Sequence, residues 1–467
     1  MFTLVARLMR YAARTLISVV LGVSYPGAAC AKASQSGESK KAGSNSAQLK
    51  QPPSSHVAAG KPAKPKADAP EPKYLLRGWN KGLAQKGVAL TLKYEGDLAA
   101  AVSGGKRRGT DYAQQVELNV DADWQKIAGI KGLTSTVTFV NRAGKNVSQR
   151  IGDQLLQVQP MYGGTNHAAV HLVQAFADWK SDNDRIDVAA GRLPVGNDFG
   201  TSPYYCEFMD TALCGYPHSL PAKRGFTAFP NSTWGARLRV ASGSRLYAQG
   251  GVYQVRPKYG GKYGLDWGWS GTTGTYFPLE VGWQPSFGPD ELNGHYKLGF
   301  TTDTSPYKDN LYDVNGVPYP MSGRPPATHR GRHSFYLLGD QMLQRNGSGP
   351  ENGLVVLGGF VGSDRETSKI SRFAFAAVRD QGLIPGRTDD VAGVMVAHAH
   401  ISNKLATAQR LLGDPMQNAE WVVEGTYRIA VTNGLTVSPD VQYFVHPNAE
   451  KSIPNALTVG TRLEVNF

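Results

Sequence analysis

The chain ends in Leu457-Thr-Val-Gly-Thr-Arg-Leu-Glu-Val-Asn-Phe467, a stretch in which apolar and polar residues alternate. The odd positions carry leucine, valine, threonine and the final phenylalanine, whereas the even positions include Arg462 and Glu464. Successive side chains of a β-strand point to opposite faces. The stretch is therefore predicted to be a strand with one apolar face and one charged face.

The same alternation recurs through the chain from Val88 onward, where Leu92 and Tyr94 alternate with Lys93 and Glu95. Sixteen such segments can be counted, at residues 88–99, 111–120, 133–141, 169–179, 185–192, 233–240, 245–254, 276–283, 294–302, 333–342, 353–361, 371–379, 390–399, 419–430, 435–445 and 456–466. Their number is even, and their lengths are close to the roughly 9–11 residues that cross a bilayer at a tilt. The pattern predicts an all-β fold, a 16-stranded antiparallel transmembrane β-barrel over residues 74–467.

The connections between these segments broadly alternate in length. Residues 142–168, 193–232, 255–275 and 303–332 form long connections, whereas Ser181–Asp184, Ala241–Ser244 and Thr432–Gly434 form short ones. Long loops at one end and short turns at the other are typical of outer-membrane barrels. A soluble sandwich or propeller has no reason to sort its loops in this way.

The polar parity of neighbouring strands carries many charged side chains, which indicates a lumen lined by water rather than a dry core. The candidate pore-lining residues on this face are Lys93, Glu95, Glu117, Glu424, Arg428, Asp440, Gln442, Arg462 and Glu464. Trp179, Trp234, Trp283, Trp421 and Phe467 lie near segment ends, where the aromatic girdles of a membrane barrel belong.

Three arginines are candidates for a constriction. Arg237 and Arg239 have polar parity, and a lipid-facing position would cost about 2–4 kcal/mol each at the bilayer midplane. Strict alternation places Arg192 outward, so an inward position requires a bulge or a strand that ends at Ala190. We hypothesise that the three face Glu424, Asp440, Gln442 and Glu464 across the lumen. The alternative is that they only pair with carboxylates and keep the wall hydrated.

The N-terminal residues differ from the rest in composition. Arg7, Arg10 and Arg14, a short apolar core and Ala29-Cys-Ala31 predict a signal peptide over residues 1–31, cleaved near Ala31 or Ala33. Residues 32–73 are rich in Lys, Pro and Ser and predict a disordered periplasmic spacer. These segments hold eleven Lys and Arg against three acidic residues, so they account for +8 of the net charge of +13. The remaining basicity is too small to indicate a nucleic-acid partner.

Two cysteines, Cys206 and Cys214, remain outside the predicted leader and lie eight residues apart. An exported chain with two close cysteines favours one disulfide. Two free thiols are the alternative. His398 and His400 share one strand face as a possible metal pair, but a third ligand is not evident, so no metal or other cofactor is predicted.

The chain resembles the carbohydrate-selective porins of the OprB type from about Trp79 to Phe467. The motifs that carry the resemblance are Trp79…Leu83-Ala-Gln-Lys-Gly87-Val88, Tyr94-Glu-Gly96, Gly104-Gly105, Ala190-Gly-Arg-Leu-Pro194, Asp198-Phe199, Tyr205-Cys206…Cys214-Gly-Tyr-Pro217, Glu420-Trp421…Glu424…Tyr427 and Ser438-Pro-Asp-Val-Gln442-Tyr443…Pro447. The Lys/Pro spacer and the loops 255–275 and 303–332 match no part of that pattern.

This resemblance implies facilitated diffusion of mono- or small oligosaccharides or polyols across a cell outer membrane. It also implies that loop 193–232 folds into the lumen and narrows it, stiffened by Cys206–Cys214. The expected partners are carbohydrate solutes, outer-membrane lipid and lipopolysaccharide, and the barrel insertion machinery, which reads Phe467. The alternatives are a general diffusion porin, a plugged structural or adhesive barrel, and a barrel enzyme. The last is disfavoured because the chain has no Gly-x-Ser-x-Gly, His-Glu-x-x-His, P-loop or EF-hand motif.

Overall fold

A computed structural model describes residues 74–76, 78–161, 170–220, 225–257, 267–347 and 349–467. The predicted signal peptide (1–31) and spacer (32–73) lie outside the described residues. The sixteen predicted strands are confirmed, with ends that differ by a few residues. Their bounds, in chain order from β1 to β16, are Val88–Ser103, Gly109–Asp123, Leu133–Gly144, His171–Lys180, Ile186–Leu193, Thr233–Ser242, Leu246–Val255, Gly274–Trp283, Leu292–Asp303, His333–Arg345, Gly353–Ser363, Ile370–Gln381, Val391–Ile401, Ala419–Thr432, Leu435–Val445 and Ala456–Asn466.

The sixteen strands close into an antiparallel barrel. Each strand pairs with its neighbours in the chain, and β16 pairs with β1 from Lys93↔Asn466 to Ala101↔Thr458 before a register shift near Ser103. Closure leaves no edge strand, so the backbone polar groups of the wall are satisfied within the sheet. At the two-residue turn between β14 and β15, Gly434 adopts a φ of +76°, and a Cβ there would come within 2.4 Å of the Leu75 nitrogen.

The outer face of the wall is apolar and exposed. Leu238, Leu279, Leu298 and Leu337 are each at least half exposed and follow the outward parity of their strands. Such a surface is stable against hydrocarbon and unfavourable against water. The long connections leave one end of the barrel, which we call the long-loop end, and the short ones leave the other, the short-turn end.

Further elements lie outside the wall strands. Helices occupy Lys81–Gln85, Trp124–Ala128, Ser148–Ile151, Tyr319–Ser322 and Asn403–Leu412, and 3₁₀ turns occupy Val195–Asn197, Tyr205–Glu207 and Pro447–Ala449. No helix among the described residues is long and apolar enough to cross a membrane. The short strand Ser286–Phe287 pairs with the start of β9.

The connection 303–332, predicted as a long loop, contains a hairpin of Pro306–Asp313 and Pro326–Arg330. Its pairing is irregular between Lys308 and Asp313, which hides the alternation that a sequence pattern relies on. The helix Asn403–Leu412, between β13 and β14, is likewise absent from the sequence-based prediction.

The lumen and its constriction loop

The connection from β5 to β6, of which the structure describes residues 194–220 and 225–232, folds into the barrel, as the resemblance implies; we call it the lumen loop. Its backbone and side chains bond to inward-facing residues of distant strands. The Gly200 N–H donates to Glu280 of β8 over 2.9 Å, and the Ser202 hydroxyl donates to Asp340 of β10 over 2.9 Å. Lys297 of β9 donates to the Thr201 carbonyl. These contacts fix the first part of the loop against the wall.

The next residues of the lumen loop continue along the same side of the barrel. Glu207 accepts two hydrogen bonds from Arg379 of β12, at 2.6 and 2.8 Å. The N–H groups of Met209 and Asp210 donate to the Glu424 carboxylate of β14, at 2.5 and 3.2 Å. The loop therefore runs along the inner wall from β8 to β14.

An apolar layer lies between the lumen loop and the wall. Tyr205 packs edge-on against Phe375 of β12, with ring centroids 5.6 Å apart. The layer consists of the loop residues Phe199, Tyr204, Tyr205, Phe208, Met209 and Leu213 and the wall residues Tyr336, Leu338, Val355, Leu357, Phe373, Phe375 and Met395, all of them buried. This half of the lumen is a packed core rather than a water-lined surface.

The predicted disulfide is present and lies within the lumen loop. Cys206 and Cys214 are bonded, with Cα atoms 4.2 Å apart, and both residues are buried. The bond closes a short ring around Glu207, Met209 and Asp210, which are the residues that contact β12 and β14. It restricts the loop at the point where it crosses the lumen.

A second loop, residues 145–161, also enters the barrel next to the first; we call it the second lumen loop. The Gln159 amide donates to the Asp97 carbonyl of β1 over 3.0 Å, and the Gln442 amide of β15 donates to the Val158 carbonyl over 3.0 Å. The Thr211 N–H of the lumen loop donates to the Gln157 carbonyl over 2.9 Å. The two loops therefore support each other against the closing strands.

Burial in the two loops shifts the acid–base equilibria of three side chains. Desolvation raises the pKa of Asp153 to about 6 and raises that of Asp210 well above its usual value. Desolvation also lowers the pKa of His218 to about 4, against a hydrogen bond to the Thr211 carbonyl that acts in the opposite direction. Each group is thereby favoured in its uncharged form while the loops are seated.

Part of the predicted pore lining forms an ionic network at the barrel seam. Lys93 lies 2.6 Å from Glu95 and 3.2 Å from Glu464, and Arg428 lies 2.7 Å from Glu464. Glu117, on β2 directly opposite Lys93, is half-buried, as is Arg428. Because all five have inward parity, their exposed atoms face the lumen. Lys93, Glu95 and Glu464 are themselves buried, so Glu117 and Arg428 are the two members of the network that keep exposed surface at the pore.

Arg237 and Arg239 face inward on β6, as predicted, but their environments differ. Arg237 is 3% exposed and lies among three carboxylates, 3.1 Å from Asp178, 2.8 Å from Asp187 and 3.1 Å from Asp198. Since Asp198 belongs to the lumen loop, Arg237 holds the start of that loop. Arg239 is half-buried, and its guanidinium lies 3.7 Å from the centroid of the Tyr247 ring.

The structure corrects the predicted position of Arg192. Its Cα is paired with that of Trp234, whose neighbours of the same parity on β6 face outward. The strand continues to Leu193 and its pairings show no register shift, so neither condition for an inward position is met. The Arg192 side chain is buried on the outer face, with its guanidinium 5.5 Å from the centroid of the Trp267 ring.

Four further predicted pore-lining residues face inward but are covered by the two lumen loops. Glu424, Asp440, Gln442 and Arg462 are at most 7% exposed, beneath the two lumen loops. They hold the loops and each other, so in this arrangement they do not meet Arg237 and Arg239 across open water. Several residues that hold the lumen loop, directly or through Arg237, were not predicted from the sequence: Asp178, Asp187, Glu207, Glu280, Lys297, Asp340 and Arg379. Glu207 lies in the loop itself; for the other six, a polar side chain on the inward parity of a strand is the signal that the sequence offers.

His398 and His400 lie on the outer face of the wall, away from the lumen. Their rings lie 6.3 Å apart on the outward parity of β13, and the His398 ring packs 4.2 Å from that of Trp421. Within the described part of the chain, no group of three or more potential His, Cys, Asp or Glu ligands is arranged to hold a metal ion.

Comparison with known proteins covers most of the barrel. A family model described as carbohydrate-selective porin, OprB family, matches residues 107–467. Porin B of Pseudomonas aeruginosa is 28% identical over 425 residues, which cover 86% of this chain and 93% of that protein. The high-pH structure of Pseudomonas putida OprB is 27% identical, with a TM-score of 0.80, and the match covers 85% of this chain and 99% of that one. A low-pH structure of Pseudomonas putida OprB, 20% identical with a TM-score of 0.54 over 86% of this chain and 100% of that one, agrees in fold.

Proposed function

The chain belongs to the carbohydrate-selective porin, OprB family, and we propose that sugars cross its barrel through the half of the lumen bordered by β1 to β7 and the seam. The observation that carries this proposal is the asymmetric coverage of the inner wall. The lumen loop packs over the inner face from β8 to β14, whereas Glu117, Arg239 and Arg428 keep exposed surface toward the lumen. The protein is a channel of the outer membrane rather than an enzyme.

The proposed path has the chemistry that a sugar requires. Sugars are neutral, carry many hydroxyl groups and have apolar ring faces. The guanidinium groups of Arg239 and Arg428 donate hydrogen bonds, and the carboxylate of Glu117 accepts them. Weak, repeated contacts of this kind favour passage, whereas tight binding would block it. Because cations and anions alternate, the path carries little net field to attract simple ions.

The remaining sequence-based expectations form part of the same proposal. We infer that residues 1–31 are removed near Ala31 or Ala33, that residues 32–73 are a periplasmic spacer, and that residues 74–467 are the barrel. We further propose that the insertion machinery reads Phe467, and that lipid and lipopolysaccharide surround the wall. The parity of Phe467 with Leu463 and Val465 supports the role of the terminal aromatic. Its N–H donates to the Leu92 carbonyl over 2.9 Å, which keeps it in strand register.

The test is reconstitution of the folded protein in liposomes, with swelling rates measured for sugars, polyols and amino acids matched in size. We expect faster swelling with sugars and polyols than with amino acids of similar size. Vesicles without protein and vesicles with heat-unfolded protein are the controls. Equal rates for all solutes of one size would indicate a general diffusion porin, and no swelling above that of the control vesicles would indicate a plugged barrel.

A further inference from the structure

Arg379 on β12 is the most completely bonded side chain that the transport chemistry leaves unused. It is fully buried, and all five of its N–H groups have acceptors. Its Nε and Nη2 groups each donate a hydrogen bond to the Glu207 carboxylate, at 2.8 and 2.6 Å. The second Nη2 bond goes to Gln381 at 3.1 Å. The Nη1 group donates to the carbonyls of Glu351 and Gly353, at 2.6 and 3.5 Å.

These contacts join three separate parts of the molecule. Glu207 belongs to the lumen loop and is adjacent to the disulfide-bonded Cys206. Glu351 lies in the turn between β10 and β11 at the short-turn end. Arg379 itself belongs to the wall, and its guanidinium also lies 5.0 Å from the centroid of the Tyr204 ring. The disulfide-closed tip of the lumen loop is thus held deep in the barrel.

We propose that Arg379 is the positioning residue of the constriction: it holds the Cys206–Cys214 tip of the lumen loop against β12 and thereby sets the free cross-section through which sugars pass. This role rests on the proposed function. The tip contacts β12 through Glu207 and β14 through its backbone N–H groups. When the β12 contact is lost, the tip is free to leave the wall and enter the open half of the lumen.

The identity of the side chain matters as much as its charge. A guanidinium presents a planar fork that binds one carboxylate with two parallel hydrogen bonds and still reaches other acceptors. An ammonium group retains the charge but has only three donors and no fork. Lysine at this position would therefore leave acceptors of Glu207 and of the turn carbonyls without a donor. Breaking one partner of a buried pair is expected to favour local opening on the order of a hundredfold.

The experiment compares Arg379→Gln, Arg379→Lys and Glu207→Gln with the parent protein. Arg372→Gln is the matched control, because Arg372 lies on the same strand but is exposed and has outward parity. Folding of each barrel is checked by heat-modifiable migration in gels. The first readout is the rate at which a phosphine reduces the Cys206–Cys214 bond in folded protein, which does not depend on sugar transport. The second is the ratio of swelling rates for sugars and for amino acids of similar size.

We expect all three loop-anchor variants to accelerate reduction on the order of ten- to a hundredfold, through more frequent local opening. We also expect them to lose discrimination between solutes, while Arg372→Gln matches the parent. Arg379→Lys separates positioning from charge: parental reduction and discrimination in this variant would overturn the proposal. If Arg379→Gln does not fold, the reduction rate and solute discrimination of Glu207→Gln test the proposal, since this variant removes the same ion pair from the loop side. A parent protein without sugar preference would contradict the proposed function, yet the reduction rates would still test the anchor.

Discussion

Arg462 on the last strand donates two hydrogen bonds to Asp97 on the first strand, at 2.8 and 3.1 Å, where the two residues are directly opposite in register. Both side chains are buried. Arg462 also lies 3.4 Å from Glu95. We expect Arg462→Gln to leave buried carboxylates without their cation and to lower the free energy of unfolding by about 3–5 kcal/mol. Urea-induced unfolding in detergent or lipid vesicles measures this change.

Arg185→Gln is the control for this seam prediction, because Arg185 is exposed in the turn between β4 and β5. That variant removes the same charge and is expected to unfold at the parental urea concentration. The double variant Asp97→Leu with Arg462→Met should recover much of the lost stability, because well-packed apolar pairs often replace buried ion pairs at little cost. Equal stability of Arg462→Gln and the parent would show that strand pairing alone closes the barrel.

Arg239→Ala is expected to reduce sugar flux without displacing the lumen loop. Arg239 is half-buried, and its guanidinium lies over the Tyr247 ring. Among the described residues, Arg239 forms no hydrogen bond or ion pair with the lumen loop. Swelling rates for sugars should fall, while small-ion conductance rises because the opening widens. The unfolding transition should stay at the parental position, within the usual range of about 0.5 kcal/mol for a partly exposed substitution.

Arg237→Ala is the informative comparison, because Arg237 pairs with Asp198 of the lumen loop as well as with two wall carboxylates. We expect Arg237→Ala to lower the free energy of unfolding and to speed reduction of the Cys206–Cys214 bond. Arg239→Ala is expected to leave both quantities at the parental value. If both substitutions leave sugar flux and ion selectivity at parental values, the constriction lies elsewhere in the barrel.

The contrast between these arginines shows what alternation in a sequence can and cannot establish. Parity correctly assigns Arg237, Arg239 and Glu424 to the inner face, since that assignment depends only on strand geometry. It does not say what covers them. The partner of Arg379 lies 172 residues away in a loop, and no local pattern encodes such a contact. The wall is therefore predictable, whereas the open path through it is not.

The sequences of β11 and β12 show where the lumen loop covers the inner wall. Val355 and Leu357 on β11, and Phe373 and Phe375 on β12, are apolar on the inward parity. The outward parity of β11 is apolar as well, and that of β12 is apolar between Arg372 and Asp380, so the middle of each strand is apolar on both faces. Strands that are buried on both faces have such continuous apolar sequences. The pattern therefore indicates that another part of the chain covers the inner wall at β11 and β12. Applied to the sequence, this criterion locates the half of the lumen that the loop occupies.

Removal of the disulfide is expected to affect the loop more than the wall. The wall is held by strand pairing around a closed sheet, and Cys206 and Cys214 lie wholly within the lumen loop. Cys206→Ser combined with Cys214→Ser should therefore keep the heat-modifiable migration of a folded barrel but lose discrimination between sugars and amino acids. Mass spectrometry of the unreduced parent should show the two peptides linked. Two thiols that alkylate without reductant would contradict the bond.

The seating of the lumen loops is expected to depend on pH in two opposite directions. Burial raises the pKa of Asp210 well above its usual value and that of Asp153 to about 6, in a region shared with Glu420, Glu424 and Asp440. A seated loop thus binds more protons at Asp153 and Asp210 than an open one, so seating weakens as pH rises from the usual carboxyl pKa through the raised pKa values of these two groups. Burial lowers the pKa of His218 to about 4 from 6.5. The contribution of His218 is therefore complete above pH 6.5 and is lost as pH falls toward 4.

Above pH 6.5, where His218 is neutral whether the loop is seated or open, only the carboxyl effect remains, with Asp210 as its main source. We expect the reduction rate of the Cys206–Cys214 bond by a phosphine to rise with pH there, by at most about tenfold per pH unit for one proton. Asp210→Asn should flatten this rise, because the amide does not titrate. His218→Gln should keep it and should also remove the opposing effect between pH 4 and 6.5, so that the rate then rises with pH across that interval as well. A parental profile that stays flat above pH 6.5 would contradict the expected rise, and an unchanged rise in Asp210→Asn would show that Asp210 does not control the loop.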